Sequence, residues 1–247
     1  MTLSPAMAQA LPPDPCLHEA ESHPVRIAGI TDGDSLTLDS GEQLRLIGIN
    51  TLELHAVDEP ERRLARMARD ALQALALDRQ VLMTPGLESR DSHGRLLAHI
   101  SLPDGRDAAH ALVAEGLALA VAVGANTRCA GSLLTQEQRA RKRRLGVWAS
   151  PGSWFVEDRL SGRETGFHVV AGQVLNISGR GSRTTLHLSN GLHVVLGRHW
   201  QDHDGEHTVA PDTLTGSKVQ VRGWLSADDG RQRMTLHDPR NLELINN

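Results

Sequence analysis

Tyrosine is missing altogether, and phenylalanine occurs twice. Stacking of bases on aromatic rings, the usual way to hold an unpaired strand, is therefore scarcely available on composition. No apolar run reaches the length that a membrane-spanning helix needs. A basic surplus is missing too. The formal net charge is −4 and the isoelectric point about 6.3, so any nucleic-acid role must rest on local charge. Cysteine is reduced to Cys16 and Cys129. Two thiols permit one bridge, which an oxidising compartment would be needed to keep. Closing so long a loop would contribute about 4–5 kcal/mol in the chain-entropy model.

The chain has 247 residues, 39% of them hydrophobic, which suits one large or two small globular domains. Residues 24–150 carry 16 basic and 16 acidic side chains, the tail 1–23 three acids and no base, and residues 151–247 ten bases and 11 acids. The densest basic run is Arg139, Arg141, Lys142, Arg143 and Arg144. It suits phosphate contacts or, more commonly, a solvated helix face. At the start, Ala6-Met7-Ala8 fits the small-x-small pattern ahead of an export cleavage site, without the basic and apolar regions that precede one. One reading is a start assigned too late, with most of a signal lost; the plainer reading is an unstructured tail.

Val25 to Leu38 reads as a hairpin: VRIAGI, a turn at Asp32-Gly33, then alternating SLTL. QLRLIGI, QVLMTP and LLAHISL add further strands. Glu59 to Leu77 reads as a helix with Leu64, Met67, Ala68, Ala71, Leu72 and Leu75 on its apolar face. Shorter helices are expected over 107–117 and 132–145. Strands first, with helices between and after them, predict an α+β domain on a small antiparallel barrel. The polar stretch 152–165 reads as a linker. Beyond it VVAGQVLNI, TTLHLSN, LHVVLG, KVQVRGWL and RMTLHD predict a second, all-β unit over 166–247.

Hydrolysis of a phosphodiester gathers negative charge on phosphoryl oxygens. Cations that grip those oxygens, a divalent metal and a base for water lower that barrier. Arginine grips best, because its planar fork meets two oxygens at once. Carboxylates are donors that Ca²⁺ or Mg²⁺ prefers. Taken alone, Asp32-Gly33-Asp34 is a hairpin turn. Arg45 sits in an otherwise apolar strand, where an unpaired guanidinium would be costly to bury; it is either a snorkelling edge residue or a site residue. Glu53 follows just past that strand, where loops carry function. Arg95 opens another strand beside a glycine turn. The stretch His199-Trp200-Gln201-Asp202-His203-Asp204-Gly205-Glu206-His207 matches no standard zinc spacing and reads as a solvated loop.

The strings TDGDSLTL, LRLIGINTLE, DSHGRLLAH, LVAEGLALA and LGVWASP occur in one order. Together they resemble the staphylococcal nuclease (thermonuclease) family over 24–151. The resemblance implies an OB-type five-stranded barrel with three helices, and hydrolysis of DNA and RNA with Ca²⁺, or Mg²⁺ or another divalent cation. It also implies roles. Asp34 matches a carboxylate metal ligand, Asn50 the position of a second, and Thr51 a residue that offers its backbone carbonyl. Glu53 matches the general base that activates water, Arg45 and Arg95 the arginines on the phosphate, and Asp32 an acid just behind the ligands.

Departures accompany it. The family usually has Asp and Pro where this chain has Asn50 and Leu52. One ligand charge is lost, so weaker metal binding is expected, and the approach to Glu53 loses a stiffening proline. His93 and Ala122 stand where better-known members have tyrosines. The second unit resembles OB-like modules behind some bacterial nuclease domains, on its G-x-V opening and VRGWL strand, with no ligand implied. The expectation is a monomeric, membrane-free nuclease, periplasmic or secreted. The rivals are a non-catalytic double-OB protein that binds nucleic acid or protein, and a cytoplasmic interaction module with free thiols.

Overall fold

The computed structural model describes residues 21–150, 152–181, 184–197, 200, 210–228 and 231–245. The tail 1–20, with Cys16 and the export-like start, lies outside the described residues. So does the histidine-rich stretch 199–207 apart from Trp200, which is buried.

Five strands close the first barrel: β1 (His23–Asp32), β2 (Ser35–Leu38), β3 (Gln43–Leu46), β5 (Gln80–Arg90) and β6 (Leu96–Ser101), with β4 (Ile49–Asn50) set apart from them. Their order around the barrel is β1-β2-β3-β6-β5. All pairings are antiparallel except β3 with β6, which is parallel. This is the OB arrangement. Alternation explains the lining: Leu36 and Leu38, then Leu44 and Leu46, point inward with Ile27, Val81 and Ile100. The β1–β2 hairpin carries two register shifts, the second immediately before the Asp32-Gly33 turn. A bulge there re-aims the side chains that follow it.

Helix α1 (Glu59–Ala76) begins with Pro60 in its first turn and two acids, Glu59 and Glu61, that favour the dipole's positive end. Its buried face is Glu61, Ala65, Ala68, Leu72 and Ala76. The face expected from spacing is therefore turned: Met67 is 45% exposed, while Ala65 and Glu61 are covered. The cause is a second layer that spacing does not reveal. Ala68 and Leu72 meet the first barrel, whereas Ala65 joins Leu52, Leu119, Val147, Trp154 and Val169 in a separate cluster. Helices α2 (Ala108–Ala114) and α3 (Ala130–Lys142) flank the short β7 (Leu119–Ala120), which pairs with β4. Asp107 caps α2 by accepting the His110 amide at 2.9 Å.

The stretch 152–165, expected as a linker, is packed. Glu61 accepts hydrogen bonds from the Ser153 hydroxyl and the Trp154 amide, and Trp154 stands edge-on to Trp148 at 5.2 Å. The Glu164 carboxylate is cradled by the amides of Ser161, Gly162 and Arg163.

Next come β8 (Phe155–Val156), β9 (Gly166–Ser178), β10 (Thr185–Leu188), β11 (Leu192–Leu196), β12 (Lys218–Asp228), β13 (Arg231–Leu236) and β14 (Leu242–Leu244). The ring β9-β10-β11-β13-β12 closes through β12 on β9, with β11 parallel to β13. It repeats the connection order of the first barrel. The interior is Val170, Val174, Leu186, Val194, Val219, Val221 and Met234, with Trp200 beside them. β8 and β14 add to the margins, where β14 takes the half of a β12 edge that β13 leaves.

Alternation turns Gln220, Arg222 and Trp224 outward from the second barrel. That outer face meets the first unit. Arg222 donates to Glu137 of α3 at 2.8 Å and to the Ala120 carbonyl at 2.9 Å. Glu137, 1% exposed, also accepts the Ala120 amide. Arg141 joins Glu137 at 2.9 Å and Glu243 at 3.1 Å, and its guanidinium lies 4.1 Å from the Trp148 ring centre. The basic run thus divides: Arg141 is built into the interface, whereas Arg139, Lys142, Arg143 and Arg144 are exposed. Among the described residues no helix is long and apolar enough to cross a membrane.

Candidate nucleic-acid cleft

At one end of the first barrel a cleft of about 490 Å³ is lined by Asp32, Asp34, Ser35, Arg45, Asn50, Glu53, Asp91, His93 and Arg95, with Glu88, Val121, Val123 and Asn126 on its rim. Six of the seven residues assigned from sequence converge there. Thr51 is not in the lining; it is buried behind Asp34.

Asp34 sits in the tight turn, immediately before the second strand. Gly33 permits the turn for steric reasons, since a Cβ there would lie 2.7 Å from that of Ala68 and 2.9 Å from the Thr51 side chain. The Asp34 carboxylate is fully engaged. It accepts the Ser35 hydroxyl at 2.9 Å, the Thr51 amide at 3.0 Å and the Thr51 hydroxyl at 3.2 Å, and pairs with Arg45 at 2.6 Å. Arg45 lines the cleft and its charge is matched there. The same guanidinium donates to the Asn50 side-chain oxygen at 2.9 Å. Asn50 in turn donates to the Thr51 carbonyl at 2.9 Å. Arg45, Asp34, Asn50 and Thr51 thus form one closed hydrogen-bonded set.

Arg95 is held from the other side. Its Nε donates to Asp91 at 2.7 Å, and its Nη1 approaches the Ser35 hydroxyl at 3.5 Å. Burial pushes the Asp91 carboxyl up. The Arg95 side chain and the backbone amides of Arg95 and His93 outweigh this and hold it below the ordinary carboxylate range. Asp91 ties the two arms of the 91–95 turn and fixes the arginine within it, a positioning role that sequence reading missed. Its position in DSHGR, four residues before Arg95, was the available signal.

Asp32 is shifted the other way. Partial burial comes first; the neighbouring charges of Asp34 and Glu53 add to it. Together they raise its carboxyl above the ordinary value, against the pull of the Gly33 amide and Arg45. Gly33 donates to it at 2.7 Å. Glu53 stands exposed at the mouth, past the buried Leu52, which is anchored in the cluster around Trp154.

The two residues at the tyrosine positions differ in fate. His93 is exposed on the cleft; Ala122 is buried, its amide and carbonyl both bonded to the side chain of Asn241 from the second unit, at 3.0 and 2.7 Å. Arg240 donates to the Thr127 carbonyl at 3.1 Å. The rim loop is therefore clasped by the second barrel. From that barrel Trp224, 45% exposed, completes the lining. An outward tryptophan on an alternating strand was the signal for it in sequence.

Among the described residues no group of three or more His, Cys, Asp or Glu side chains is placed to hold a metal. Cys129 is buried and disulfide-bonded; Cys16, its expected partner, lies outside the described residues. No curated protein matches the chain. Residues 43–150, which span Arg45, Asn50, Glu53 and Arg95, match the family model described as Staphylococcal nuclease homologue.

Proposed function

We propose that the chain is a metal-dependent nuclease that hydrolyses phosphodiester bonds of DNA, RNA or both. The observation that carries this is the convergence of two arginines and three acids, Arg45, Arg95, Asp32, Asp34 and Glu53, on one cleft. A phosphodiester supplies the charge that such arginines match, and an exposed carboxylate supplies a base for water.

In this reading Arg45 and Arg95 grip the non-bridging oxygens and stabilise the charge that grows on them. Their own carboxylate partners keep both forks oriented before substrate arrives. Glu53 takes a proton from water as its oxygen attacks phosphorus, and the bond to the leaving oxygen breaks. Exposure of Glu53 suits that role, because water reaches it freely.

The donors fit a hard divalent cation in kind. Asp34, Asn50 and Asp32 offer oxygen, and the Thr51 carbonyl lies behind them. Ca²⁺ held by these residues would supply charge neutralisation at the phosphate. The charge count is low and Asp34 is already paired with Arg45, so weak affinity is expected. The disulfide on Cys129 supports an oxidising compartment, and hence a periplasmic or secreted protein.

The test is incubation of the full chain with denatured DNA and with RNA, in Ca²⁺, in Mg²⁺ and in chelator. Cleavage that needs metal supports the proposal. Salt-sensitive binding without cleavage at any metal concentration would instead mark the non-catalytic double-OB reading, which the already occupied lone pairs of Asp34 favour.

A further inference from the structure

We propose that the second barrel supplies a nucleobase platform to the cleft, built from Trp224 and Phe167. This rests on the nuclease reading and adds a base-binding element to it.

Trp224 lies on β12 directly across from Phe167 on β9. Their rings meet edge to face, with centroids 5.1 Å apart and planes 76° from parallel. Phe167 is half-buried against the Trp154 cluster, so it braces the indole from behind. Trp224 lines the same cleft as Arg45 and Arg95. A large apolar ring left open beside cationic groups is the arrangement that single-strand binders use: charge follows the backbone and the ring takes the base. The neighbouring groups agree. Val123 on the rim is also exposed and apolar, and the rim is tied to the second barrel by Asn241 and Arg240. The indole and the rim therefore form one wall rather than two units free to separate. Bases inside a duplex are already stacked on their neighbours, so only an unpaired base can use the indole face.

The test uses fluorescently labelled decathymidylate and an abasic strand of the same length, in a Glu53→Gln background with Ca²⁺ so that cutting is slow on the timescale of binding. Trp224→Ala is expected to weaken decathymidylate binding roughly tenfold, which is within the range for one lost base stack, and to leave the abasic strand unchanged. Trp224→Phe should keep most of the affinity. It should also remove the tryptophan emission change that the decathymidylate causes in the parent. Equal affinity of parent and Trp224→Ala for decathymidylate, with the parent chain still cutting single strands, would overturn this inference and leave the nuclease reading standing. A parent that neither binds nor cuts either strand would overturn both.

Discussion

Arg45 lies 2.6 Å from Asp34 and 2.9 Å from Asn50, so one guanidinium ties together two of the residues assigned to the metal. In the proposed reading, arginine and metal would draw on the same oxygens. A cation would have to outcompete that pairing, with little help from the neutral amide of Asn50. Asn50→Asp adds a charge and removes the hydrogen bond now donated to the Thr51 carbonyl. We expect Ca²⁺ to bind about tenfold tighter, or about 1.4 kcal/mol, as titration calorimetry would measure it. Unchanged or weaker binding would mean these oxygens are not the ligands.

The interface between the units rests on a buried charge network. Arg222, 3% exposed, is matched by Glu137, which also holds the Ala120 amide. Removing one partner strands the other. Arg222→Ala should cost about 3–5 kcal/mol in urea unfolding, because it leaves Glu137 with a reduced set of donors. Arg141 is positioned to compensate in part. A loss below about 1 kcal/mol would contradict the account of this interface.

Much of this fold was legible in sequence because it is local. SLTL and QLRL alternate, so their leucines line the barrel, and Asp32-Gly33 marks the turn between strands. The candidate site residues were proposed through resemblance, since Arg45, Glu53 and Arg95 lie far apart in the chain; the structure brings them to one cleft. What escaped depends on long-range packing. Ala65 and Glu61 are buried because Trp154 and Ser153 come back over α1, which helix periodicity cannot anticipate. The stretch 152–165 has a linker's composition, yet its tryptophan and Glu164 fasten it. Trp224 sits in a strand whose outward face is covered at Arg222 and open at Trp224, a difference set by the neighbouring domain.

Gly33 is the backbone device that aims Asp34. A methyl group there meets Ala68 and Thr51. Gly33→Ala should destabilise the chain by about 1–3 kcal/mol, the range for overpacking, and should lower cleavage more than unfolding alone explains, since Thr51 carries the Asp34 carboxylate with it. Thermal melts together with rates measured well below the melting point would separate the two effects. A variant with full activity per folded molecule would contradict the link.

The acid side of the stability profile should report Glu164. Burial raises its carboxyl, but the backbone amides led by Ser161 prevail and hold it at about 2, against an ordinary value of 4.5. A depressed folded pKa means stability that is present above 4.5 and lost as pH falls toward about 2. Glu164→Gln should therefore be less stable than the parent at pH 7, with the gap closing between pH 4.5 and 2. Urea midpoints at several pH values would show it; a gap that stays constant with pH would contradict it.

The most direct test of the central claim is single-turnover cleavage of a short single-stranded DNA, with Ca²⁺ in excess, by the parent, Glu53→Gln and Arg95→Ala. Parallel binding measurements would accompany it. The account predicts that Glu53→Gln cuts on the order of 10²–10⁴-fold more slowly while binding as tightly as the parent, as for loss of a general base. Arg95→Ala should lose both rate and affinity. Parent-like cutting by Glu53→Gln would contradict the assignment of the base, and cutting by all three at equal rates would remove this cleft as the site of chemistry.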